Sequence, residues 1–342
     1  MKRTVLALGI LAMLLLVGAL AYVAQPNPRA ASSASYAPAL AAGPFHVSEW
    51  TAEWRDEARN RTIPVRIYYP GGQGPFPVIL FSHGLGGSRD GYRYLGECWA
   101  SRGYVSVHVQ HPGSDASVLH SLRPFRAMVQ AARDPQNALD RPKDISFALD
   151  MLARLDTQAG SPLKGRMDLN RVGVGGHSFG AYTALAVAGR VFQTTRAGTV
   201  DLRDPRIKAC VALSSPSEGK AADCPSYRFF SVPCLHMTGT EDASPIGDTT
   251  PAQRRVPYDC INGPDEYLVT FQGGDHMVFS GRARRAAKPT DAAFQRLACV
   301  ATTAFWDAYL KGDTAAKTWL DNGGLAAELS TSGTIEEKNL QR

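Results

Sequence analysis

Arg171-Val172-Gly173-Val174-Gly175-Gly176-His177-Ser178-Phe179-Gly180 carries more structural information than any other stretch of this chain. A β-branched run leads into Gly176-x-Ser178-x-Gly180, and small residues with helical character follow from Ala181 to Gly189. This is a strand, a sharp turn and a helix, with a serine at the apex. So tight a turn leaves no room for side chains two residues before or after the serine. The serine backbone is strained, and its hydroxyl is pushed out at the top of a sheet.

Working outward, Phe45 to Tyr69 alternates and turns near Asn60, as an antiparallel hairpin does. Val78 to Phe81 reads as a short buried strand, Gly91 to Arg102 as a helix, and Tyr104 to Gln110 as the next strand. Residues 113–141 mix polar and apolar types without a clear period. A helix is expected over 142–156, with Pro142 at its start and Ile145, Leu149, Leu152 and Leu155 on one face. Beyond the serine, strands are expected at Ile207–Leu213, Cys234–Thr238 and Tyr267–Phe271, then a long amphipathic helix over 291–310. The tail from Gly312 reads as weakly structured. Strands that alternate with helices imply a mostly parallel sheet with helices on both faces. With the serine turn, this predicts the α/β-hydrolase fold: a mostly parallel eight-stranded sheet flanked by helices, with an N-terminal antiparallel hairpin.

Hydrophobic residues make up 44% and charged residues 20% of the 342, enough apolar material for a substantial core. The net charge of +6 is spread out, and the one basic cluster, Arg282 to Arg285, reads as a solvated loop. No nucleic-acid signature is present. Lys2 and Arg3 precede an apolar run from Val5, and Ala19-Leu20-Ala21 offers small residues for cleavage. Residues 1–24 are therefore a signal peptide or an uncleaved N-terminal anchor, and either exports the rest to the periplasm or the medium. Only the uncleaved form would hold the chain at a membrane. Residues 25–43, rich in Ala, Pro and Ser, read as a linker, 44–312 as the catalytic domain, and 313–342 as the tail. Six cysteines suit an oxidising compartment. Cys98, Cys210 and Cys299 fall in apolar segments and read as buried thiols, while Cys224 and Cys260 lie in polar loops and make the favoured bridge. No cysteine or histidine spacing announces a metal, and no cofactor is implied.

A serine hydroxyl needs a base to remove its proton. The order expected for this fold is serine, acid, histidine. Beyond Ser178 the chain has only His236 and His276. His236 lies mid-strand and reads as a packed core residue. His276 follows the last parallel strand, at the catalytic edge, and is assigned the general base. Asp242, after the strand that contains Leu235, is assigned the acid that orients it. Glu241, Asp275 and Glu218 are the other carboxylates considered. Phe81-Ser82-His83-Gly84-Leu85-Gly86-Gly87 follows a strand and is rich in glycine, as an oxyanion loop is. The expected donors are the backbone N–H groups of Leu85 and Phe179. His83 is read as fixing this loop, and His177 as a supporting residue. Leu85, Phe179, Met277, Val278 and Phe279 are expected to line the substrate pocket. Val118, Leu119, Leu122, Phe125 and Met128 either add to it or form an ordinary surface excursion.

Phe81-Ser82-His83-Gly84-Leu85-Gly86 together with Gly176-His177-Ser178-Phe179-Gly180 resembles the platelet-activating-factor acetylhydrolase family. Thr238 to Gly247 and Gly273 to Phe279 resemble bacterial proteins labelled predicted dienelactone hydrolases. The similarity spans residues 60–310. It implies a carboxylic-ester hydrolase with Ser178, Asp242 and His276 as its triad. Serine stands where true dienelactone hydrolases carry a cysteine, and Ala181 stands where a further glycine is common. The expected partner is a small-molecule or polymeric ester, with short acyl esters favoured. A cutinase-like polyester hydrolase, an exported acyltransferase and a non-catalytic binding module are the other readings. The oligomeric state is open.

Overall fold

The computed structural model describes residues 36–38, 43–194, 198–281 and 288–340. The expected signal segment, most of the linker and the Arg282–Arg285 cluster lie outside them. Among the described residues no helix is long and apolar enough to cross a membrane. Every element belongs to one unit that begins at Pro38.

Strands β1 (Val47–Asp56) and β2 (Arg61–Pro70) form the antiparallel hairpin, turning at Asn60 with φ 52°. β3 (Phe76–Ser82), β4 (Val105–Val109) and β5 (Met167–His177) follow, with helix α1 (Arg93–Ser101) between β3 and β4. Helices α2 (Pro124–Arg133) and α3 (Pro135–Thr157) precede β5, and α4 (Phe179–Ala188) opens directly after the serine. A small hairpin, β6 (Phe192–Thr194) and β7 (Gly198–Val200), stands apart from the main sheet. Then come β8 (Ile207–Leu213), the short α5 (Lys220–Asp223), β9 (Cys234–Glu241), α6 (Val256–Cys260) and β10 (Glu266–Asp275). Helices α7 (Asp291–Tyr309), α8 (Thr314–Asp321) and α9 (Gly324–Leu329) lead to β11 (Gly333–Lys338).

The main sheet has the order β1-β2-β4-β3-β5-β8-β9-β10-β11. The strands from β4 to β10 in that order are parallel, and the sheet is antiparallel at both margins. β3, β4 and most of β8 are buried on both faces, so their sequences are apolar runs rather than alternations. Val78 and Leu80 pack on one face with Ile145, Leu149 and Leu152 of α3 and Ala184 and Leu185 of α4. Phe81, one residue out of phase, meets Trp99 of α1, which meets Trp306 of α7 edge-on.

Three expectations are corrected. α3 begins at Pro135, capped by Asp134, so Pro142 sits inside the helix rather than at its start. Cys98 and Cys299 are not free thiols. They join α1 to α7, two helices that pack together, in a disulfide beside the expected Cys224–Cys260 bridge. Within the expected tail, residues 313–340 are not loose. They supply α8, α9 and β11, which makes the sheet nine-stranded instead of eight. β11 escaped the periodicity because Gly-Thr-Ile-Glu-Glu-Lys is an edge strand, polar where it faces water. Arg255 ties its Glu336 down at 2.8–2.9 Å.

Deleting residues 313–342 would uncover the β10 edge and remove the buried side chains of Leu320, Leu325 and Leu329. Each contributes about 1.5–3 kcal/mol by burial. Their sum is comparable with a domain's whole margin of about 5–15 kcal/mol. The truncated chain is expected to aggregate or melt far below the full chain. An unchanged melting temperature would contradict the placement of these elements.

Candidate active site

Ser178 stands between β5 and α4 with φ 56° and ψ −118°, outside the regions L-residues favour. A Cβ on Gly176 would collide with the carbonyl of Gly180, and one on Gly180 with the carbonyl of Ser82. These two glycines let the elbow close against β3.

Three loops at the carboxyl ends of the strands converge on the serine. His276, just past β10, places Nε2 3.0 Å from Ser178 Oγ. Its Nδ1 lies 2.8 Å from Asp242 Oδ1, in the loop after β9. A carboxylate only accepts, so Nδ1 carries the proton and Nε2 is left to accept from the serine. Asp242 Oδ2 accepts from Thr238 Oγ1 at 2.8 Å.

Arg254 is buried beside this pair, with Nε 3.2 Å from Asp242 Oδ1. It donates to the carbonyls of Asp242, Ser214 and Ser215 at 3.0–3.1 Å. Its Nη2 also approaches His276 Nδ1 at 3.2 Å, but that nitrogen's hydrogen is committed to Asp242. The approach is a charge contact, not a hydrogen bond. Burial pushes the Asp242 carboxyl up, yet the His276 hydrogen bond and the Arg254 charge together hold it below the usual aspartate range.

His177 lies beneath the site. Its Nε2 is 2.9 Å from the His276 carbonyl, an acceptor, so Nε2 is protonated and Nδ1 accepts from Tyr92 Oη at 2.8 Å. Tyr92 Oη in turn accepts from Gly84 N–H at 3.2 Å. Burial drives His177 well below the usual histidine range, so it stays neutral. The chain of bonds couples the Gly84–Leu85 loop to the backbone of His276.

The opposite side of that loop rests on a buried cation. Arg141 donates to Thr183 Oγ1 of α4, to Ser114 Oγ and to Ser82 Oγ at 2.9–3.0 Å, and also to the His83 carbonyl. Its guanidinium lies over the Phe179 ring at 4.5 Å. Burial pulls its pKa down to about 9, which leaves it charged at neutral pH. Beneath it, Ser82 Oγ and His111 Nε2 are 2.9 Å apart, and His111 Nδ1 is 2.9 Å from Asp144 Oδ2. This repeats the Ser–His–Asp order of the first cluster, but all three are sealed from solvent. Ser82 is a bridge here, not an accessible hydroxyl. His83 accepts the His111 N–H at Nε2, 3.0 Å away, and so helps fix the loop.

Ser178 opens onto two cavities. One, of about 200 Å³, is lined by Leu85, Tyr92, Leu119, Met128, Ile246 and Met277, among others. The other, of about 580 Å³, runs past Leu85, Phe179, Tyr182, Pro216, Glu218 and Ile246. The N–H groups of Leu85 and Phe179 have no acceptor among the described residues. A larger cavity of about 730 Å³ lies at Arg55–Arg59 and α3, away from these groups.

Among the expected pocket residues, Val278 and Phe279 do not line either cavity. They form a short turn packed into the interior, with Phe279 against Phe271 and His177. Leu119 and Met128 take their place, whereas Leu122 and Phe125 point to solvent. Glu241 is exposed and pairs with Lys288, Asp275 caps the Met277 N–H, and Glu218 sits in the wall of the 580 Å³ cavity beside Ser178. His236 is buried and bonded to Glu266, far along β9 from the serine. Arg141, Arg254, Tyr92, His111 and Asp144 escaped the sequence reading. Each is a polar residue brought in from a distant segment, which spacing along the chain does not reveal.

A serine elbow after the fifth strand, an acid after a later one and a histidine after the last parallel strand occur here on one mostly parallel sheet. The fold is that of the α/β-hydrolases. A family model described as platelet-activating factor acetylhydrolase, isoform II, matches residues 68–202. Platelet-activating factor acetylhydrolase of Canis lupus familiaris is 28% identical over 142 residues, 32% of this chain and 31% of that protein. Cutinase est2 of Thermobifida alba is 26% identical over 243 residues, 69% and 64% of the two chains. A putative phospholipase A2 of Schizosaccharomyces pombe is 27% identical over 173 residues, 38% and 39%. The matched part thus spans from about a third to just under two thirds of these relatives.

A carboxyl held below its unfolded value, ordinarily 3.8, stabilises the fold at pH above that value. The contribution is lost as pH falls through the folded value. Arg254→Leu removes the counter-charge, so the loss should begin at higher pH. It should also cost about 3–5 kcal/mol at neutral pH by stranding a buried carboxylate. Urea unfolding midpoints across the acid range measure both effects; a variant curve that overlays the wild type would contradict the ion pair.

Proposed function

We propose that the protein is a serine hydrolase that cleaves carboxylic esters through an acyl-Ser178 intermediate. His276 takes the Ser178 proton at Nε2 as Oγ attacks the ester carbonyl. The tetrahedral oxyanion is held by the N–H groups of Leu85 and Phe179, a type of contact worth about 3 kcal/mol per donor. Asp242 keeps the histidine in the required tautomer and stabilises the imidazolium. His276 then gives the proton to the departing alcohol. Water, activated by the same histidine, attacks the acyl-enzyme, and Ser178 is restored with release of the acid. The observation that carries this reading is the unbroken Ser178–His276–Asp242 chain, at 3.0 and 2.8 Å, opening onto two cavities.

The smaller, largely apolar cavity suits a short acyl group, and the larger one suits the alcohol part. A polyester substrate is the second reading. It is favoured by the longer match to a cutinase and by the exposed Leu122 and Phe125 on the segment that lines the cleft. Export, by the N-terminal segment, is part of the same proposal; two disulfides suit that destination.

The test is hydrolysis of p-nitrophenyl esters of graded acyl length, with a polyester film beside them. Activity is expected to be highest on short acyl chains and to vanish in Ser178→Ala. Asp242→Asn should lower kcat by about 10⁴-fold. Activity retained by Ser178→Ala would refute the assignment, and turnover confined to the film would select the second reading.

A further inference from the structure

At the amino ends of β9 and β10, the edge of the sheet opposite Ser178, three ligand-type side chains meet in the interior, with Cys210 beside them on the neighbouring strand. Cys234 and His236 point to the same face of β9, being two residues apart. Glu266, on β10, is the register partner of Cys234, and Cys210, on β8, is its partner on the other side. Single ligand atoms of Cys234, His236 and Glu266 all lie within 4.8 Å of one another, and all three residues are buried. His236 Nε2 and Glu266 Oε2 are 2.8 Å apart. The other two polar atoms of this pair, His236 Nδ1 and Glu266 Oε1, are buried without a hydrogen-bond partner. Leaving such atoms unpaired costs about 1–3 kcal/mol each. A hydrophobic core has no need of them.

We propose that Cys234, His236 and Glu266 form a buried divalent-cation site of the zinc type, with Cys210 as the neighbouring fourth ligand. Thiolate, imidazole and carboxylate are the donors that zinc accepts, at about 2.0–2.3 Å in a tetrahedral shell. Such bonds place ligand atoms roughly 3.3–3.8 Å apart, within the present spread after small side-chain shifts. Charge also balances. The thiolate of Cys234 and the carboxylate of Glu266 neutralise a dication, and Lys338, opposite Glu266 on β11, offsets a second thiolate. Binding releases the thiol protons to solvent and changes no oxidation state. Four ligands from the protein leave no open position, so the ion would be structural, and it would tie β8, β9 and β10 together.

The full chain, purified without reductant so that both disulfides persist, is stripped with a chelator and titrated with Zn²⁺, then with Co²⁺. Only Cys210 and Cys234 are free among the cysteines. One metal per chain and a thiolate-to-cobalt charge-transfer band are therefore expected. Cys234→Ser should weaken the band, leaving only the Cys210 contribution, and bind Zn²⁺ at least about tenfold more weakly, and Cys210→Ser/Cys234→Ser should lose the band altogether. Ser178→Ala should bind as the wild type does, whatever its activity. Binding well below one ion per chain, a cobalt spectrum without thiolate character, or a Cys210–Cys234 disulfide in the native chain would each overturn the proposal. The wild-type spectrum decides the matter even where the serine variant fails to fold.

Discussion

The backbone of Ser178 is the constraint on which the rest of this structure depends. A residue at φ 56° and ψ −118° costs of order 1–3 kcal/mol and persists only when its surroundings over-determine it. The surroundings do so here. Parallel pairing of β5 with β3 and β8 fixes the turn's approach, and the Ser178 N–H donates to the Leu213 carbonyl at 2.8 Å. Gly176 and Gly180 remove the side chains that would hold the turn open. The strain raises one hydroxyl above the sheet edge, where loops from β3, β9 and β10 reach it.

Those loops are held from below by polar networks as well as by apolar packing. On one side, Gly84, Tyr92, His177 and the His276 carbonyl form a continuous chain of bonds. On the other, Arg141 binds the β3 loop to α4, and Asp144 beneath it receives Arg59, Arg61 and His111. Buried charges of this kind add little net stability against an apolar alternative, but losing one partner is expensive. Their effect is geometric: Arg141 ties the loop that carries the Leu85 N–H to the helix that opens with the Phe179 N–H. Preorganised donors of that sort need no rearrangement as charge develops.

The elbow, the succession of strands along the chain and the placement of Ser178, Asp242 and His276 at strand ends were legible because each rests on local rules. A tight turn demands glycine, a buried strand is apolar, and a loop follows a strand end. What escaped was non-local. The edge strand β11 hides in Gly333–Lys338 because one of its faces meets water. The Cys98–Cys299 bridge joins positions 201 residues apart that each read as ordinary helix. Val278 and Phe279 looked like pocket walls because they follow His276, but the chain turns inward there. Arg141 and Arg254 carry no motif; their meaning comes from the groups that tertiary folding sets around them.

Two Ser–His–Asp chains of similar distances occur among the described residues, but Ser178 stands on a strained turn and opens onto cavities, whereas Ser82 is sealed and accepts from Arg141. A fluorophosphonate, which reacts with activated serines, followed by peptide mass mapping, separates their roles directly. The account predicts one adduct per chain, on the peptide that contains Ser178, with labelling abolished in His276→Ala and Ser82 left unmodified. An adduct on Ser82, or labelling of Ser178 at an undiminished rate without His276, would contradict it.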